Sequence, residues 1–204
     1  MARRRARTRI RRPRGTLSRA QIIEGAFRVA ERMGVACLSM PALAEELEVA
    51  VTSLYWYFHS RDELLDAATE RAAWMVHEAL PAATGEHWEV QVRRYWTAYH
   101  AALCGRPVLA DLTILRAPSI ARSQGALQAH AVRMEGQLEA LAGGGFGAEE
   151  AIRAYAALSV FTRGCIMAER LDGERPAPFS DEEGFASGID VLVAGLRRHH
   201  AETG

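Results

Sequence analysis

The chain has 204 residues, enough for one medium-sized domain or for a small domain joined to a larger one. Its 49% apolar and 25% charged residues are typical of globular proteins, which excludes disorder along the whole chain. The 25 basic residues balance the 25 acidic ones, and no uncharged stretch is long enough to span a membrane. Three widely spaced cysteines without a Cys-x-x-Cys pair argue against a zinc site or a disulfide framework and favour reduced thiols in a cytoplasm, with a redox-sensing cysteine as the alternative. We expect no cofactor.

The charge is unevenly distributed along the chain. Residues 1–14 contain eight Arg and no acid, so the rest of the chain has a net charge of −8. This segment has almost nothing apolar to bury, and we expect a disordered arm. By charge alone it is either a solvated tail or an arm that neutralises nucleic-acid phosphates.

The first predicted helix begins after Ser18, a good N-cap, and continues to Met33. Gly34 follows, where a left-handed residue would end the helix. A second helix is predicted over 39–47, with Ser39 as its cap. A third, over 51–58, follows after a three-residue turn.

A fourth helix is predicted from the capping box Ser60-x-x-Glu63 to Pro81. The two short helices before it form a helix-turn-helix unit. Their residues form the specific motif Leu38-Ser39-x-x-x-Leu43-Ala44-x-x-Leu47-x-Val49-x-x-x-Ser53-Leu54-Tyr55-Trp56-Tyr57-Phe58-x-Ser60-Arg61-x-Glu63-Leu64-Leu65. This motif closely resembles the DNA-binding region of the TetR family of bacterial repressors.

In such a unit the second helix enters the major groove of DNA. Leu54 and Phe58 lie four residues apart on the same side of this helix, and we expect them to face the core. The three adjacent aromatics that follow Ser53 would contact phosphates and bases, although core packing is the alternative for them. We predict DNA contacts from both short helices, from the start of the fourth helix and from the arm. These residues are Ser39, Met40, Val51, Thr52, Ser53, Tyr55, Trp56, Tyr57, Arg61, Arg11, Arg12 and Arg14.

Two departures from the family pattern affect the predicted interface. The recognition helix has no Arg, Asn, Gln or Lys, so we expect modest direct readout and a larger share from phosphate contacts and DNA shape. Glu48 stands in the turn where the family usually has Gly, and a left-handed conformation there would cost on the order of 1 kcal/mol. Residues 15–80 carry a net charge of −5, which favours the DNA-binding interpretation of the arm.

Helical spacing continues through the remainder, with a break at Gly105-Arg106-Pro107 and a helix start at Pro118. Gly143-Gly144-Gly145-Phe146-Gly147 lacks the Lys and flanking strand of a phosphate loop, which favours an interhelical turn. We therefore predict an all-α protein of about nine or ten helices. Its parts are the disordered arm 1–14, a three-helix helix-turn-helix domain over 15–62, and a larger helical ligand-binding and dimerisation domain over 63–204.

The resemblance implies a homodimer that pairs through the last two helices, and a small-molecule pocket among the central ones. The predicted pocket residues are Trp96, Tyr99, His100, Leu103, Met134, Phe161 and Cys165, with ordinary core packing as the alternative for each. Ala102 and Gly105 stand where tetracycline-binding members have the His and Thr of their metal–drug site. We therefore expect no metal and an apolar or aromatic effector.

No hydrolase, metalloprotease or dinucleotide-binding motif occurs in the sequence, so we expect no enzymatic activity. The sequence predicts a ligand-responsive transcriptional repressor that binds a palindromic, double-stranded DNA operator as a dimer. The alternative is a module that binds nucleic acid without sequence preference through the Arg-rich arm.

Overall fold

The computed structural model describes residues 17–82, 84–116, 123–171 and 181–203. Within these ranges the chain forms nine α-helices and no strand, which confirms the predicted all-α fold. The helices are α1 (Arg19–Met33), α2 (Met40–Glu46), α3 (Val51–Tyr55), α4 (Arg61–Glu78), α5 (Trp88–Gly105), α6 (Pro107–Ala110), α7 (Gln124–Gly143), α8 (Ala148–Leu171) and α9 (Glu182–Thr203). A 3₁₀ turn, Val35–Cys37, precedes α2, and a π turn, Asp111–Leu115, follows α6.

Capping residues fix the starts of the early helices. The Ser18 hydroxyl accepts a hydrogen bond from the Gln21 N–H, and the Gln21 side chain accepts one from the Ser18 N–H, which completes a capping box. Ser39 caps α2 through the Ala42 N–H. Gly34 ends α1 with a φ of 85°, a conformation that glycine adopts without steric cost.

The start of α4 differs in one detail from the predicted capping box. The Ser60 hydroxyl accepts from the Glu63 N–H, as predicted. The Glu63 carboxylate, however, accepts from the N–H of His59 rather than from that of Ser60. The reciprocal bond is thus made one residue earlier in the chain.

Helix α3 is shorter than the predicted span of 51–58. Its regular part ends at Tyr55, and Trp56 and Tyr57 form a turn. The Leu54 carbonyl accepts from both the Tyr57 and the Phe58 N–H groups, so the last turn tightens instead of continuing as α-helix.

The chain divides into two compact units, Met1–Ala68 and Thr69–Gly204. In the first unit, α1–α3 and the start of α4 enclose a small apolar core. Gly25 of α1 allows α2 to approach closely there, because a Cβ at this position would lie 2.7 Å from the Leu47 side chain. The largest fully buried side chains of this core are Ile22, Phe27, Leu38, Leu43, Leu54, Phe58, Leu64 and Leu65.

The second unit is built on α5, which packs against α6, α7, α8 and α9. Its core is larger and more aromatic, with Trp96 and Phe185 completely buried. Phe161 of α8 lies against Gly188 of α9, where an added Cβ would be 2.2 Å from the ring. Gly105 ends α5 and Pro107 begins α6, so the predicted helix break is confirmed.

Several predictions fall on residues outside the described ranges. They concern the Arg-rich arm with Arg11, Arg12 and Arg14, and the helix start at Pro118. Among the described helices, none combines the length and the apolar character that a membrane crossing requires.

Candidate functional site

Helix α3 is held to the first unit by one side and presents the other side to solvent. Leu54 and, just beyond the helix, Phe58 are fully buried, as predicted. Thr52 is exposed, while Val51 and Ser53 are half-buried. Tyr55 and Trp56 are 47% and 86% exposed, so the core does not account for these two aromatics. Tyrosine and tryptophan are enriched at interfaces, so the exposed Trp56 is a candidate contact residue.

Tyr57, the third aromatic of this run, has a different environment. It is half-buried, and its hydroxyl donates a 2.6 Å hydrogen bond to the Leu17 carbonyl. Its own carbonyl accepts from the Arg19 guanidinium. Tyr57 therefore fastens the end of α3 to the start of α1, and its hydroxyl proton already has an acceptor within the chain.

The two predicted contacts from α2 are placed differently. Ser39 is partly accessible and its hydroxyl caps the helix. Met40 is 4% exposed, so its side chain is not available in this structure for the predicted DNA contact. The reason is that this first residue of α2 turns its thioether into the core.

Arg61, the predicted phosphate contact at the start of α4, is bonded to backbone carbonyls within the unit. Its Nη2 donates to the carbonyls of Val35 and Ala36, both at 3.1 Å. Its Nε donates to the Leu38 carbonyl. Arg61 thereby ties the connection between α1 and α2 to α4, and a phosphate contact would have to be made through Nη1.

Each Arg in the described part of the first unit contacts another group of that unit. Arg28 and Arg32 both pair with Glu46 of α2, at 2.7 and 2.8 Å. The Arg28 hydrogen bond, followed by that of Arg32, lowers the pKa of Glu46 below its usual value. The Arg19 guanidinium lies 4.1 Å from the centroid of the Phe58 ring. These arginines therefore make contacts that support the fold of the unit.

The turn between α2 and α3 contains the strained residue that the sequence predicts. Glu48 has a φ of 54°, in the left-handed region, and is the non-glycine residue with positive φ among the described residues. Its side chain is exposed, and it lies three residues before the start of α3. This acid adds negative charge near the start of α3.

In the second unit, the structure places most of the predicted ligand residues in the core. Trp96, Tyr99 and Leu103 are buried along α5, where Trp96 and Tyr99 pack edge to face at 5.7 Å. His100 and Phe161 both stack on Phe185, at ring distances of 3.9 and 5.7 Å. Cys165 is buried and Met134 is half-buried.

A cavity of about 370 Å³ opens between the end of α4, α5 and α7. None of the pocket residues predicted from the sequence lines it. Two of its lining residues carry buried polar atoms without a hydrogen bond in the described part of the chain, Arg94 Nε and Gln137 Oε1. The lining residues are His77, Glu78, Leu80, Pro81, Ala82, Gln91, Arg94, Tyr95, Val132, Arg133, Gly136 and Gln137. An apolar wall with a few unsatisfied polar groups is typical of a small-molecule site.

A cluster of polar side chains in the second unit brings His100 and Cys104 of α5 together with Glu169 of α8. His100 Nε2 lies 2.8 Å from Glu169 Oε1 and 3.6 Å from Cys104 Sγ. Burial lowers the pKa of His100, outweighing the nearby Glu169 carboxylate, which raises it. Burial, assisted by Glu169, raises the pKa of the Cys104 thiol to about 12. The sequence carried the signal of His and Cys four residues apart, but not their meeting with Glu169.

The last two helices expose apolar side chains. On α8, Ile152 and Val160 are 54% and 72% exposed, and the exposed Ala156 lies between them at the same helical spacing. On α9, Val191 is 68% exposed and is followed one turn later by the exposed Gly195. Apolar and small residues at four-residue spacing form a face suited to close helix packing.

Comparison with known proteins agrees with this architecture. Residues 22–68 match the family described as "Bacterial regulatory proteins, tetR family". A helix-turn-helix-type transcriptional repressor of Mycobacterium tuberculosis is 37% identical over 161 residues. The match covers 79% of this chain but 60% of that repressor, so the chain spans less than two thirds of its length.

Two further relatives are similar over most of their length. A class A tetracycline repressor protein from Escherichia coli is 29% identical, with 87% of this chain and 89% of that protein covered. The crystal structure of a TetR variant from Acinetobacter baumannii in complex with minocycline is 25% identical, with a TM-score of 0.65. That match covers 90% of this chain and 98% of the other.

Proposed function

The chain belongs to the TetR family of bacterial regulatory proteins, and we propose that it is a DNA-binding transcriptional regulator that acts as a repressor. The observation that carries this proposal is the surface of α3 and the turn after it. Thr52, Tyr55 and Trp56 are exposed there although Leu54 and Phe58 hold the same segment to the core. The similarity to a mycobacterial transcriptional repressor supports the direction of regulation.

In this proposal, α3 reads the major groove with a small set of groups. The Thr52 and Ser53 hydroxyls can donate to or accept from base edges, and Val51 can contact a thymine methyl group. Tyr55 and Trp56 supply phosphate and sugar contacts beside them. With no bidentate side chain on the helix, the shape and deformability of the duplex carry a large share of the specificity.

The Arg-rich arm, residues 1–14, supplies the positive charge that the interface needs. The described Arg residues of the first unit already contact Glu46, Glu63, backbone carbonyls or the Phe58 ring. Eight Arg in the arm therefore provide the counter-charge for phosphates or for the minor groove. Nη1 of Arg61 and the Ser39 hydroxyl add contacts at the helix starts.

We further propose that the operator is palindromic and that the protein binds it as a homodimer. The exposed apolar faces of α8 and α9 support this, because two such helices can pair with their copies and bury Ile152, Val160 and Val191. A single short recognition helix gives weak specificity. Two of them reading half-sites about 34–36 Å apart give a longer recognition sequence.

A small effector bound in the second unit would release the DNA. The cavity between α4, α5 and α7 supports an effector with an apolar or aromatic body and a polar group facing Arg94 and Gln137. Helix α4 contains residues of both units, so a displacement of its end by the effector would change the separation of the recognition helices. The effector acts through its different affinities for the two states of the dimer.

The proposal is tested by selecting bound duplexes from a random library with the full chain and with a variant lacking residues 1–14. Selection at about 150 mM salt suppresses non-specific phosphate binding. We expect an enriched palindrome for the full chain, and the same palindrome with weaker binding for the shortened variant. Bound DNA without a motif, lost on removal of the arm, would instead establish the alternative of sequence-independent binding through the arm.

A further inference from the structure

The His100–Cys104–Glu169 cluster brings three metal-binding side chains together within the second unit. One nitrogen, one sulfur and one oxygen atom lie within 4.8 Å of one another. His100 and Cys104 are one turn apart on α5, and Glu169 faces them from α8. The sequence predicted no metal site, because it does not show that Glu169 meets the other two residues. From the geometry we propose that these three residues bind a divalent metal ion of the zinc class, with a fourth coordination position open to the adjoining cavity.

The distances fit a tetrahedral zinc site with a small adjustment. With Zn–S near 2.3 Å and Zn–N near 2.0–2.1 Å, tetrahedral geometry separates the two donor atoms by about 3.6 Å. The distance between Cys104 Sγ and His100 Nε2 is 3.6 Å. The distance between His100 Nε2 and Glu169 Oε1 is 2.8 Å and would widen to about 3.4 Å. A rotation of the partly accessible Glu169 side chain supplies that change.

The donor set also balances the charge of the metal. The Cys104 thiol loses its proton on binding, and the resulting thiolate and the Glu169 carboxylate together neutralise a divalent cation. His100 coordinates as neutral imidazole through Nε2, with its proton on Nδ1. A thiolate and an imidazole select zinc-class ions over magnesium or calcium, which prefer oxygen ligands.

Three protein ligands leave one position of a tetrahedral ion for water or for a donor atom of a small molecule. In this protein a cavity of about 380 Å³ adjoins the cluster. It is lined by Leu103, Cys104, Pro107, Ile166, Glu169 and Arg170. The Arg170 guanidinium pairs with Asp111 and donates to the Pro107 carbonyl, so its charge is compensated beside the metal.

The chain offers matched control thiols for a test. Cys165 is buried on α8, one turn before Glu169, and Cys37 is exposed in the first unit. The adjacent His199 and His200 near the C-terminus could bind metal adventitiously, but imidazoles alone give no thiolate signal. A readout specific for thiolate–metal bonds therefore identifies the proposed site.

The experiment titrates the reduced, untagged full chain with Co²⁺, a spectroscopic substitute for Zn²⁺, after removal of bound metal with a chelator. We expect one equivalent of Co²⁺ to produce tetrahedral d–d bands and a thiolate-to-cobalt charge-transfer band, both removed by Zn²⁺. Cys104→Ser should abolish the charge-transfer band. Glu169→Gln, whose amide oxygen can still accept from His100, should weaken Co²⁺ binding on the order of tenfold or more.

Cys165→Ser and Cys37→Ser should retain the band and the stoichiometry, and circular dichroism should show that every variant keeps its helical content. Absence of stoichiometric binding by the full chain would overturn the proposal. So would a charge-transfer band that survives Cys104→Ser or disappears in either control. The titration uses no DNA, so its failure leaves the proposed regulatory function standing, and failure of the DNA selection leaves the metal site standing.

Discussion

Two runs of aromatic residues in this molecule have nearly the same composition and opposite environments. Trp56, between Tyr55 and Tyr57 in the first unit, is 86% exposed, whereas Trp96 of α5, beside Tyr95, is 2% exposed. The difference comes from the helices that carry them. A five-residue helix held by one buried leucine cannot cover three adjacent aromatics, while α5 is long enough to pack against four other helices. Residue type alone therefore does not distinguish a contact surface from a core.

The largest expected effect comes from removing the buried indole. Trp96→Ala should lower the free energy of unfolding by about 3–5 kcal/mol, because it leaves a cavity among Tyr95, Tyr99 and Tyr155. Chemical denaturation followed by circular dichroism measures this change. Trp96→Phe should cost less, since it refills part of the space. Equal stability of wild type and Trp96→Ala would contradict the assignment of Trp96 to the core.

The next effect concerns the backbone strain in the first unit. Glu48→Gly should raise the free energy of unfolding by about 1 kcal/mol, because glycine adopts the positive φ without the steric cost of a Cβ. The control Glu48→Ala removes the same charge but keeps the Cβ. If the alanine variant gained as much stability as the glycine variant, charge rather than backbone strain would be the cause.

A pH dependence of stability should reveal the contribution of the Glu46 ion pairs to the first unit. Arg28 and Arg32 lower the folded-state pKa of Glu46 below its ordinary value of 4.5. The stabilisation is therefore fully present above pH 4.5 and is lost as the pH falls through the lowered folded-state pKa. Glu46→Gln should flatten this part of the stability profile, measured by denaturation at a series of pH values. The exposed neighbour provides the control Glu45→Gln, which should leave the profile unchanged.

The smallest expected effect on stability is at the exposed indole. Trp56→Ala should change the free energy of unfolding by no more than about 0.5 kcal/mol, because its side chain loses little burial. The same variant should bind the selected duplex more weakly, as measured by fluorescence anisotropy. Val90→Ala, an exposed apolar residue of the second unit, should leave DNA binding unchanged. A strongly destabilised Trp56→Ala protein would remove the contrast between the two aromatic runs.

Local features of the fold could be predicted from the sequence because their causes are local. Ser18 and Ser39 cap their helices as predicted, and the turn at Glu48 has the left-handed conformation that the family pattern implies. Leu54 and Phe58 are buried as predicted. In each case the signal and the structure lie within a few residues of each other.

The features that the sequence did not predict arise where contacts join distant parts of the chain. Met40 follows a cap in sequence, but the packing of the first unit buries it. Arg61 finds its acceptors more than twenty residues away, at Val35 and Ala36. The cluster of His100 with Glu169 depends on two helices separated by a long stretch of chain, and helical spacing cannot show which turns meet.

Thr52→Val is the substitution that tests whether side chains of α3 read a DNA sequence. This substitution keeps the shape of the exposed side chain and removes its hydroxyl. The measurement is the ratio of affinities, by fluorescence anisotropy, for the selected duplex and for a scrambled duplex of equal length. We expect the ratio to fall by about two- to tenfold while affinity for the scrambled duplex is unchanged. If the DNA selection has yielded a specific duplex and the affinity ratio is unchanged in Thr52→Val, direct readout of bases by Thr52 is contradicted.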